Sequence, residues 1–298
     1  MTLIQMNRLI FRLLLLFSAL SLSACPQPSK YPKEKSKINP LSPNYKVGGV
    51  LPPVYDAPDI IGTLGGARVH MVDYTVQDVM YADTPSPFAK EWGDYQAPPR
   101  TYDSKITSMG FYMNHNTGKI RDTRNDGDFY EKENQPASPW VLVGIESNNE
   151  IMNRPDFLDT FLNRDLEEKP ELPSYHYVKI SETLYGLQRY IVPGTDPKTG
   201  KPYRFENFES DDLFIARDKS GHVRSYIKCS NKDVPNPPCR HRFKLMNGIQ
   251  VTIDLLYSRQ RLYDWQKLEK QSADIILGFT RTAENDPVNI QSSSNRSK

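Results

Sequence analysis

The sequence predicts an α+β fold, mainly an antiparallel sheet with a C-terminal amphipathic helix packed on a four-strand meander that a disulfide staples. Three observations predict it. Four strand candidates lie between Asp212 and Leu255, separated by turn residues, and the last three alternate apolar and polar residues, which is the pattern of half-buried antiparallel strands. Cys229 and Cys239 fall on neighbouring strands, and apolar residues recur at helical spacing after Ser258.

The meander is the most clearly delimited part of the chain. Asn247-Gly248 is the strongest short hairpin signal that a sequence offers, and Asp218 to Gly221 predicts a second tight turn. Around these turns the sequence predicts four strands, Asp212–Arg217, His222–Cys229, Cys239–Leu245 and Ile249–Leu255.

Cys229 and Cys239 are predicted to form a structural disulfide. Nine residues separate them, and a secretory signal at the N-terminus implies an oxidising compartment, in which such a pair joins. Closing a loop of this size stabilises a fold by about 2–3 kcal/mol. A redox or metal site is the alternative. However, the sequence has no Cys-x-x-Cys, and His241 alone does not complete a four-ligand set.

A C-terminal helix is predicted over Arg259–Phe279, with Ser258 as its N-cap. Trp265 is interpreted as the residue that anchors this helix on the sheet, with a binding role as the alternative. The apolar stripe consists of Leu262, Trp265, Leu268, Ile275, Ile276 and Phe279.

The upstream elements are less regular. A short helix is predicted over Asp156–Leu166, with Leu158, Phe161 and Leu162 inward. Long polar loops, Ala82–Tyr102 and Asn114–Ser138, interrupt the N-terminal half, and loops of that length are unusual unless they are functional or disordered. The remaining strand candidates are Arg68–Val72, Lys105–Met113, Trp140–Ile145, Tyr175–Ile180 and Tyr185–Val192.

The N-terminus is predicted to be a signal peptide over residues 1–24. Arg8 and Arg12 precede a short apolar stretch, and Leu22-Ser23-Ala24-Cys25 follows it. This tetrapeptide resembles the lipobox of bacterial lipoproteins, which implies cleavage before Cys25 and acylation of its thiol; an ordinary secretory signal is the alternative. Pro26 after the cysteine favours the periplasmic face of the outer membrane, with the inner membrane as the alternative.

The rest of the chain is predicted to divide into four regions. Residues 25–51 are rich in Ser, Pro, Lys and Asn, a composition that predicts a flexible stalk. A β-rich region with long loops covers residues 52–168, and an α+β region covers residues 169–280. Residues 281–298 form a polar tail that is predicted to be disordered.

The charge balance argues against nucleic acid as a partner. The chain has 38 basic and 36 acidic residues, and two of the basic ones lie in the signal peptide, so the exported part is balanced. Binding to nucleic acid or to anionic lipid needs a basic excess. The predicted membrane contact is therefore the lipid on Cys25.

Motifs that carry chemistry are scarce, and the sequence predicts no catalytic residue, metal or cofactor. Ser225-x-x-Lys228 falls in a predicted strand, where the two side chains face opposite ways. The segment Asp122–Glu133 resembles a calcium loop, but Arg124 occupies a ligand position. The glycines of Gly62–Gly66 are interpreted as turn geometry. The histidines lie outside metal spacings and are interpreted as structural or surface residues: His70, His115, His176, His222 and His241.

Three stretches carry a more specific resemblance. They are Ile61–Gly66, the run Arg100–Phe111, and the motif Cys239-x-His-x-Phe followed by Asp264-Trp265. Together they resemble a group of proteobacterial lipoproteins encoded beside type VI secretion lipase effectors and proposed as their immunity proteins. The resemblance implies a non-enzymatic, membrane-anchored protein whose partner is a secreted effector protein. A structural or assembly lipoprotein and an envelope hydrolase with a scattered site are the alternatives.

Overall fold

The described chain is built around one sheet of mostly antiparallel strands. The computed structural model describes residues 58–86, 88–90, 94–123, 129, 135, 138–147, 153–168, 175–206 and 210–285. The predicted signal peptide, the lipidation site Cys25, the stalk and most of the polar tail lie outside these residues.

Twelve strands of the described chain join the sheet in the order β2-β1-β4-β6-β12-β11-β10-β9-β8-β7, with β3 and β5 also paired to β4. Every pairing is antiparallel except that of β1 with β4. The strands are β1 (Ile60–Leu64), β2 (Ala67–Met71), β3 (Gln77–Tyr81), β4 (Lys105–Asn114), β5 (Lys119–Ile120), β6 (Trp140–Glu146), β7 (Val178–Leu184), β8 (Leu187–Ile191), β9 (Asp212–Arg217), β10 (Val223–Cys229), β11 (Pro238–Leu245) and β12 (Val251–Ser258).

Helices pack on both faces of this sheet. Helix α1 (Phe157–Leu166) lies on one face, and α3 (Trp265–Glu284) lies on the other; a single short turn, α2 (Tyr203–Glu206), precedes β9. The main core is formed between α3 and the sheet, where the rings of Phe279 and Phe111 meet edge to face at 5.9 Å. A second apolar cluster joins α1 to β9 and β10 through Phe157, Leu158 and Leu162.

The structure confirms the predicted α+β class, with a mainly antiparallel sheet and a C-terminal helix packed on it. The meander strands agree with the predicted ones to within a few residues. The helix differs at both ends, because Arg259–Asp264 forms a 3-10 helix and α3 then continues to Glu284. Ser258 caps the 3-10 segment by accepting a hydrogen bond from the backbone N–H of Gln260. The strands of the two predicted regions, 52–168 and 169–280, belong to the same sheet, since β6 pairs with β12.

Two local predictions are wrong. The turn between β7 and β8 falls at Tyr185-Gly186, inside the predicted second strand, where both residues have positive φ, 54° and 78°. A tyrosine at such a position conceals the turn, because Asn, Asp or Gly is usual there. Gly62 is not a turn residue but lies in β1, where an added Cβ would stand 2.6 Å from the carbonyl oxygen of Ser104.

The disulfide joins β10 to β11. Cys229 and Cys239 are bonded, and they are also direct partners in the strand register. Both sulfurs lie in the core beneath α3, where the two residues are fully buried. The predicted staple of the meander is therefore present between its second and third strands.

Removing this disulfide is expected to destabilise the fold without changing it. Replacing both cysteines by serine should lower the free energy of unfolding by about 2–3 kcal/mol, since the short loop loses its closure. Urea denaturation of the oxidised protein and of the double variant measures the difference. Equal midpoints for the two proteins would contradict the prediction.

Candidate functional site

One face of the sheet stays partly uncovered beside α1. Strand alternation sends Phe111, Val143 and Leu255 toward α3, and the residues between them point to the opposite side. On that side Leu256 is 43% exposed. We call this region of β4, β6, β12 and β11 the open face; its residues are Ser108, Gly110, Leu142, Gly144, Glu146, Arg240, Arg242, Asp254 and Leu256.

A pair of glycines forms the lowest part of the open face. Gly110 of β4 and Gly144 of β6 are direct cross-strand partners, and Gly144 is also paired with Asp254 of β12. Because neither glycine supplies a side chain, the surface is depressed here into a trough of about 390 Å³. We call it the glycine trough; Gln77, Ser108, Leu142, Glu146 and Leu256 also line it.

The fold itself does not require these glycines. A Cβ added at Gly144 would lie 3.7 Å from its nearest neighbour, and one at Gly110 would lie 3.4 Å from the carbonyl oxygen of Val143. These are ordinary contact distances, and neither residue has a positive φ. Glycine inside a strand weakens it and often marks a place where a ligand or another backbone approaches closely.

A second depression adjoins the trough and is lined by cations. Arg242 donates from Nε and Nη2 to the two carboxylate oxygens of Asp254, at 2.8 and 2.6 Å, and Arg240 reaches the same oxygens at 3.4 and 2.9 Å. Burial favours the neutral form of Asp254, but its hydrogen bonds with Arg242 and Arg240 outweigh burial and hold the pKa below its ordinary value. Two guanidinium groups are therefore fixed on one carboxylate.

The far wall of this depression comes from α1 and β10. The Phe161 ring lies beneath two guanidinium groups, Arg242 at 4.4 Å and Arg164 at 5.2 Å from its centroid, as in cation–π contacts. We call the depression the arginine pocket; its volume is about 360 Å³, and Phe161, Arg164, Asp211, Tyr226, Lys228, Pro238, Arg240, Arg242, Asp254 and Leu256 line it.

The titratable groups of the arginine pocket differ in their protonation state. Burial, the largest influence, raises the pKa of Asp211 to about 6, against the lowering effect of Lys228 and Lys232. The Tyr226 hydroxyl donates a hydrogen bond to Asp165. Burial raises the pKa of Tyr226 well above the ordinary tyrosine value. Tyr226 is therefore neutral and Asp254 is ionised at neutral pH.

A buried polar cluster lies on the opposite face, beneath α3. Ser225 Oγ donates to Glu269 Oε1 at 2.5 Å, and His241 Nε2 lies 3.0 Å from the same oxygen. Arg224 donates to the other oxygen at 2.9 Å, because a bulge in β10 places Arg224 and Ser225 on the same side. Burial acts to raise the pKa of Glu269, but His241, Ser225 and Arg224 outweigh it, so the pKa is lowered.

This cluster contains the residue types of a catalytic triad but not its arrangement. A nucleophilic serine needs a histidine as its base, whereas the Ser225 hydroxyl donates its hydrogen bond to the Glu269 carboxylate. Ser225 and His241 are also 0% exposed. The cluster therefore attaches α3 to the sheet.

A third cluster surrounds Asp212, which is 0% exposed at the start of β9. Its carboxylate accepts hydrogen bonds from Arg259, Arg189 and Arg204 at 2.7, 2.8 and 3.0 Å. Asn231 donates to it as well, at 3.0 Å. Burial favours a higher pKa, but the arginines, led by Arg259, lower it. The cluster ties the 3-10 helix that begins at Arg259 to β8 and β9.

The residues singled out in the sequence are not brought together. Ser225 faces α3, whereas Lys228 faces Asp165 on α1, at 3.9 Å. Most of the calcium-like segment lies outside the described residues. Among the residues described, no group of three or more His, Cys, Asp or Glu could hold a metal ion. The histidines are in different surroundings: His70 with Asp59, His222 with Asp159, His241 with Glu269, His115 buried and His176 exposed.

Two further sequence features have clear positions. Trp265 is buried, and its Nε1 donates to the carbonyl oxygen of Tyr185 at 3.0 Å, so it anchors α3 as interpreted. The glycine trough was not anticipated, although glycines inside two predicted strands were the available signal. In the described part of the chain, no helix has the length and apolar character needed to cross a membrane.

Comparison with known proteins finds a match among solved structures but none among family models or curated proteins. A solved structure that matches is an immunity protein of the Stenotrophomonas maltophilia type IV secretion system, at 17% identity and a TM-score of 0.45. The match covers 75% of this chain and 93% of that one. The immunity role is a property of that protein.

Proposed function

We propose that this protein is a non-enzymatic, membrane-tethered binding protein that neutralises a secreted effector protein. The observation that carries the proposal is the glycine pair on the open face. Gly110 and Gly144 adjoin each other in the middle of two strands, and neither is needed by the backbone or by a neighbouring side chain. A partner whose main chain approaches the sheet closely explains why side chains are absent there.

The surroundings of the trough suit a protein partner. An exposed leucine, Leu256, stands between the glycine trough and the arginine pocket, and the pocket adds arginines and aromatic rings. In protein interfaces, arginine, tyrosine and tryptophan are enriched among the residues that contribute most of the binding energy. The contacts that surround such residues exclude water from them. The composition of the open face therefore resembles that of a protein-binding surface.

The tether and the type of effector complete the proposal. Acylated Cys25 would hold the protein at the periplasmic face of the outer membrane, where an effector that attacks the envelope would meet it. The sequence resemblance favours a lipase delivered by a type VI secretion system. The matched Stenotrophomonas protein serves a type IV system. The proposal of a type VI effector therefore rests on the sequence resemblance alone.

A challenge with sister cells tests the function. A strain lacking the gene should be killed by sister cells that deliver the effector encoded beside it, and it should survive attackers that lack the secretion apparatus. Restoring the gene should restore survival. If the mutant survives delivery as well as its parent, the neutralising role is excluded. Loss of envelope integrity without attackers would instead support the assembly role.

Filling the glycine trough should separate binding from folding. Replacing Gly144 by valine is expected to leave the fold intact and to raise the free energy of unfolding by up to about 1 kcal/mol, because glycine is unfavourable in a strand. The same change should abolish protection against sister cells, since the valine side chain would then occupy the glycine trough and exclude the main chain of the partner. Thermal denaturation and the challenge assay measure the two effects.

Gly278 on α3 provides the matched control. An added Cβ there has only the Arg281 side chain within 4.0 Å, and the position lies on the other side of the sheet. Gly278→Ala should stabilise the protein by a similar amount and keep full protection. Full protection by Gly144→Val would show that the trough is not part of the binding surface.

A further inference from the structure

We infer that the arginine pocket receives an acidic side chain of the effector, while the adjoining glycine trough receives that effector's main chain. The inference rests on the proposed function and specifies its contact surface and the kind of segment that binds. The occupant is an extended protein segment that carries an aspartate or glutamate.

The two depressions are close enough for one segment to occupy both. Arg240, Asp254 and Leu256 line the glycine trough and the arginine pocket alike. Asp254 is paired with Gly144 on one side and with Arg242 on the other. Neighbouring strands lie about 4.8 Å apart, so two or three residues of an extended chain cover the distance from the trough to the pocket.

The arginines are held in place before the partner arrives. Asp254 fixes both guanidinium groups, yet the Arg240 side chain keeps 59% of its surface exposed. A planar guanidinium binds carboxylates with two parallel hydrogen bonds, and a held side chain loses less entropy on binding. Arg240 is therefore suited to bind a second carboxylate from outside.

The cations of the pocket exceed what its ionised acids offset. Four cations line it, Arg164, Lys228, Arg240 and Arg242, against the two carboxylates of Asp211 and Asp254. Lys228 also lies near Asp165, which leaves a modest excess of positive charge. An excess of this size suits a single carboxylate.

The same arrangement disfavours a membrane surface as the occupant. Asp211 and Asp254 lie among the cations, and a bilayer rich in anionic lipid would meet these carboxylates as well. Attraction to such a bilayer requires a basic excess over a broad area, whereas the chain carries 38 basic and 36 acidic residues. A small pocket with interspersed charges selects one side chain instead.

Two variants of the full-length chain test the inference in the sister-cell challenge. Arg164→Glu reverses an exposed charge at the rim and leaves the pairing of Arg240 and Arg242 with Asp254 intact. Arg240→Ala removes the outward guanidinium while Arg242 still holds Asp254. Each change should weaken binding by roughly tenfold or more, as for a central arginine in an interface, and survival should fall accordingly. Thermal denaturation confirms that each variant is folded.

Lys270→Glu is the matched control, because it reverses an exposed charge on α3, on the other side of the sheet. It should protect as well as the wild type. If the wild type itself gives no protection, the proposed function fails; if the wild type protects and both arginine variants protect equally well, only this inference fails.

A fractionation experiment separates protein from lipid as the occupant. In cells that express Cys25→Ser, the unlipidated chain should appear in the soluble periplasmic fraction, with or without Arg164→Glu. If the unlipidated chain stays with the membrane and Arg164→Glu releases it, the pocket binds lipid headgroups, and the inference is overturned.

Discussion

Replacing Asp212 by alanine is expected to lower the free energy of unfolding by about 3 kcal/mol. Removing one partner of a buried ion pair costs about 3–5 kcal/mol when the remaining charge is buried. The three arginines around Asp212 keep 28, 25 and 23% of their side chains exposed. Water can therefore partly solvate them, which places the expected loss at the lower end.

Chemical denaturation of the purified protein measures this loss. Asp274→Ala is the matched control, since Asp274 forms an exposed pair with Lys270 on α3. Such helical surface pairs contribute about 0.3–0.5 kcal/mol. If the two variants unfold at the same denaturant concentration, the Asp212 cluster does not contribute to stability as its geometry indicates.

Replacing Glu269 by alanine is expected to have a comparable effect, also about 3 kcal/mol, by loosening α3. Ser225 and His241 are fully buried, and each would lose its partner; an unsatisfied buried polar group costs about 1–3 kcal/mol. Near-ultraviolet circular dichroism, to which the buried Trp265 contributes, reports the change together with urea denaturation. Glu284→Ala, an exposed position at the end of the same helix, should leave both unchanged.

Glu269 also makes the attachment of α3 sensitive to acid. A lowered pKa in the folded state gives stability that is present above the unfolded value, about 4, and is lost as the pH falls through the lowered value. Asp212 and Asp254 act in the same direction. Asp211, with a pKa raised to about 6, acts oppositely between pH 6 and 4. Stability should therefore fall steeply only below about pH 4, and less steeply in Glu269→Gln.

The C-terminal half was predictable because its signals are local. The alternation in β10 to β12, the Asn247-Gly248 turn and the helical stripe around Leu268 are each visible within a short stretch of sequence. By contrast, β3 was not predicted, because Gln77–Tyr81 is short, does not alternate apolar and polar residues, and pairs with β4 through register shifts. The Tyr185 turn was placed wrongly because its backbone geometry is unusual for tyrosine.

The candidate site was harder to predict because it depends on register between distant strands. Gly110 and Gly144 adjoin each other only once β4 pairs with β6. The arginine pocket requires α1 to lie beside β11, and the Asp212 cluster gathers Arg189, Arg204 and Arg259 from three separate elements. The composition showed only that basic and acidic residues are nearly equal in number. No short sequence motif indicates which of these charged residues are in contact in the fold.

The position of β6 has a consequence for how the chain reaches its folded state. β6 ends at Glu146, yet one of its neighbours is β12, which begins at Val251. Pairing over so long a stretch is slow, because bringing the two strands together costs loop-closure entropy before their contacts form. The hairpins of the C-terminal half can form early, whereas the middle of the sheet must wait for the last strand. A polypeptide cut short before Val251 would therefore expose the edge of β6, which in the complete protein β12 covers.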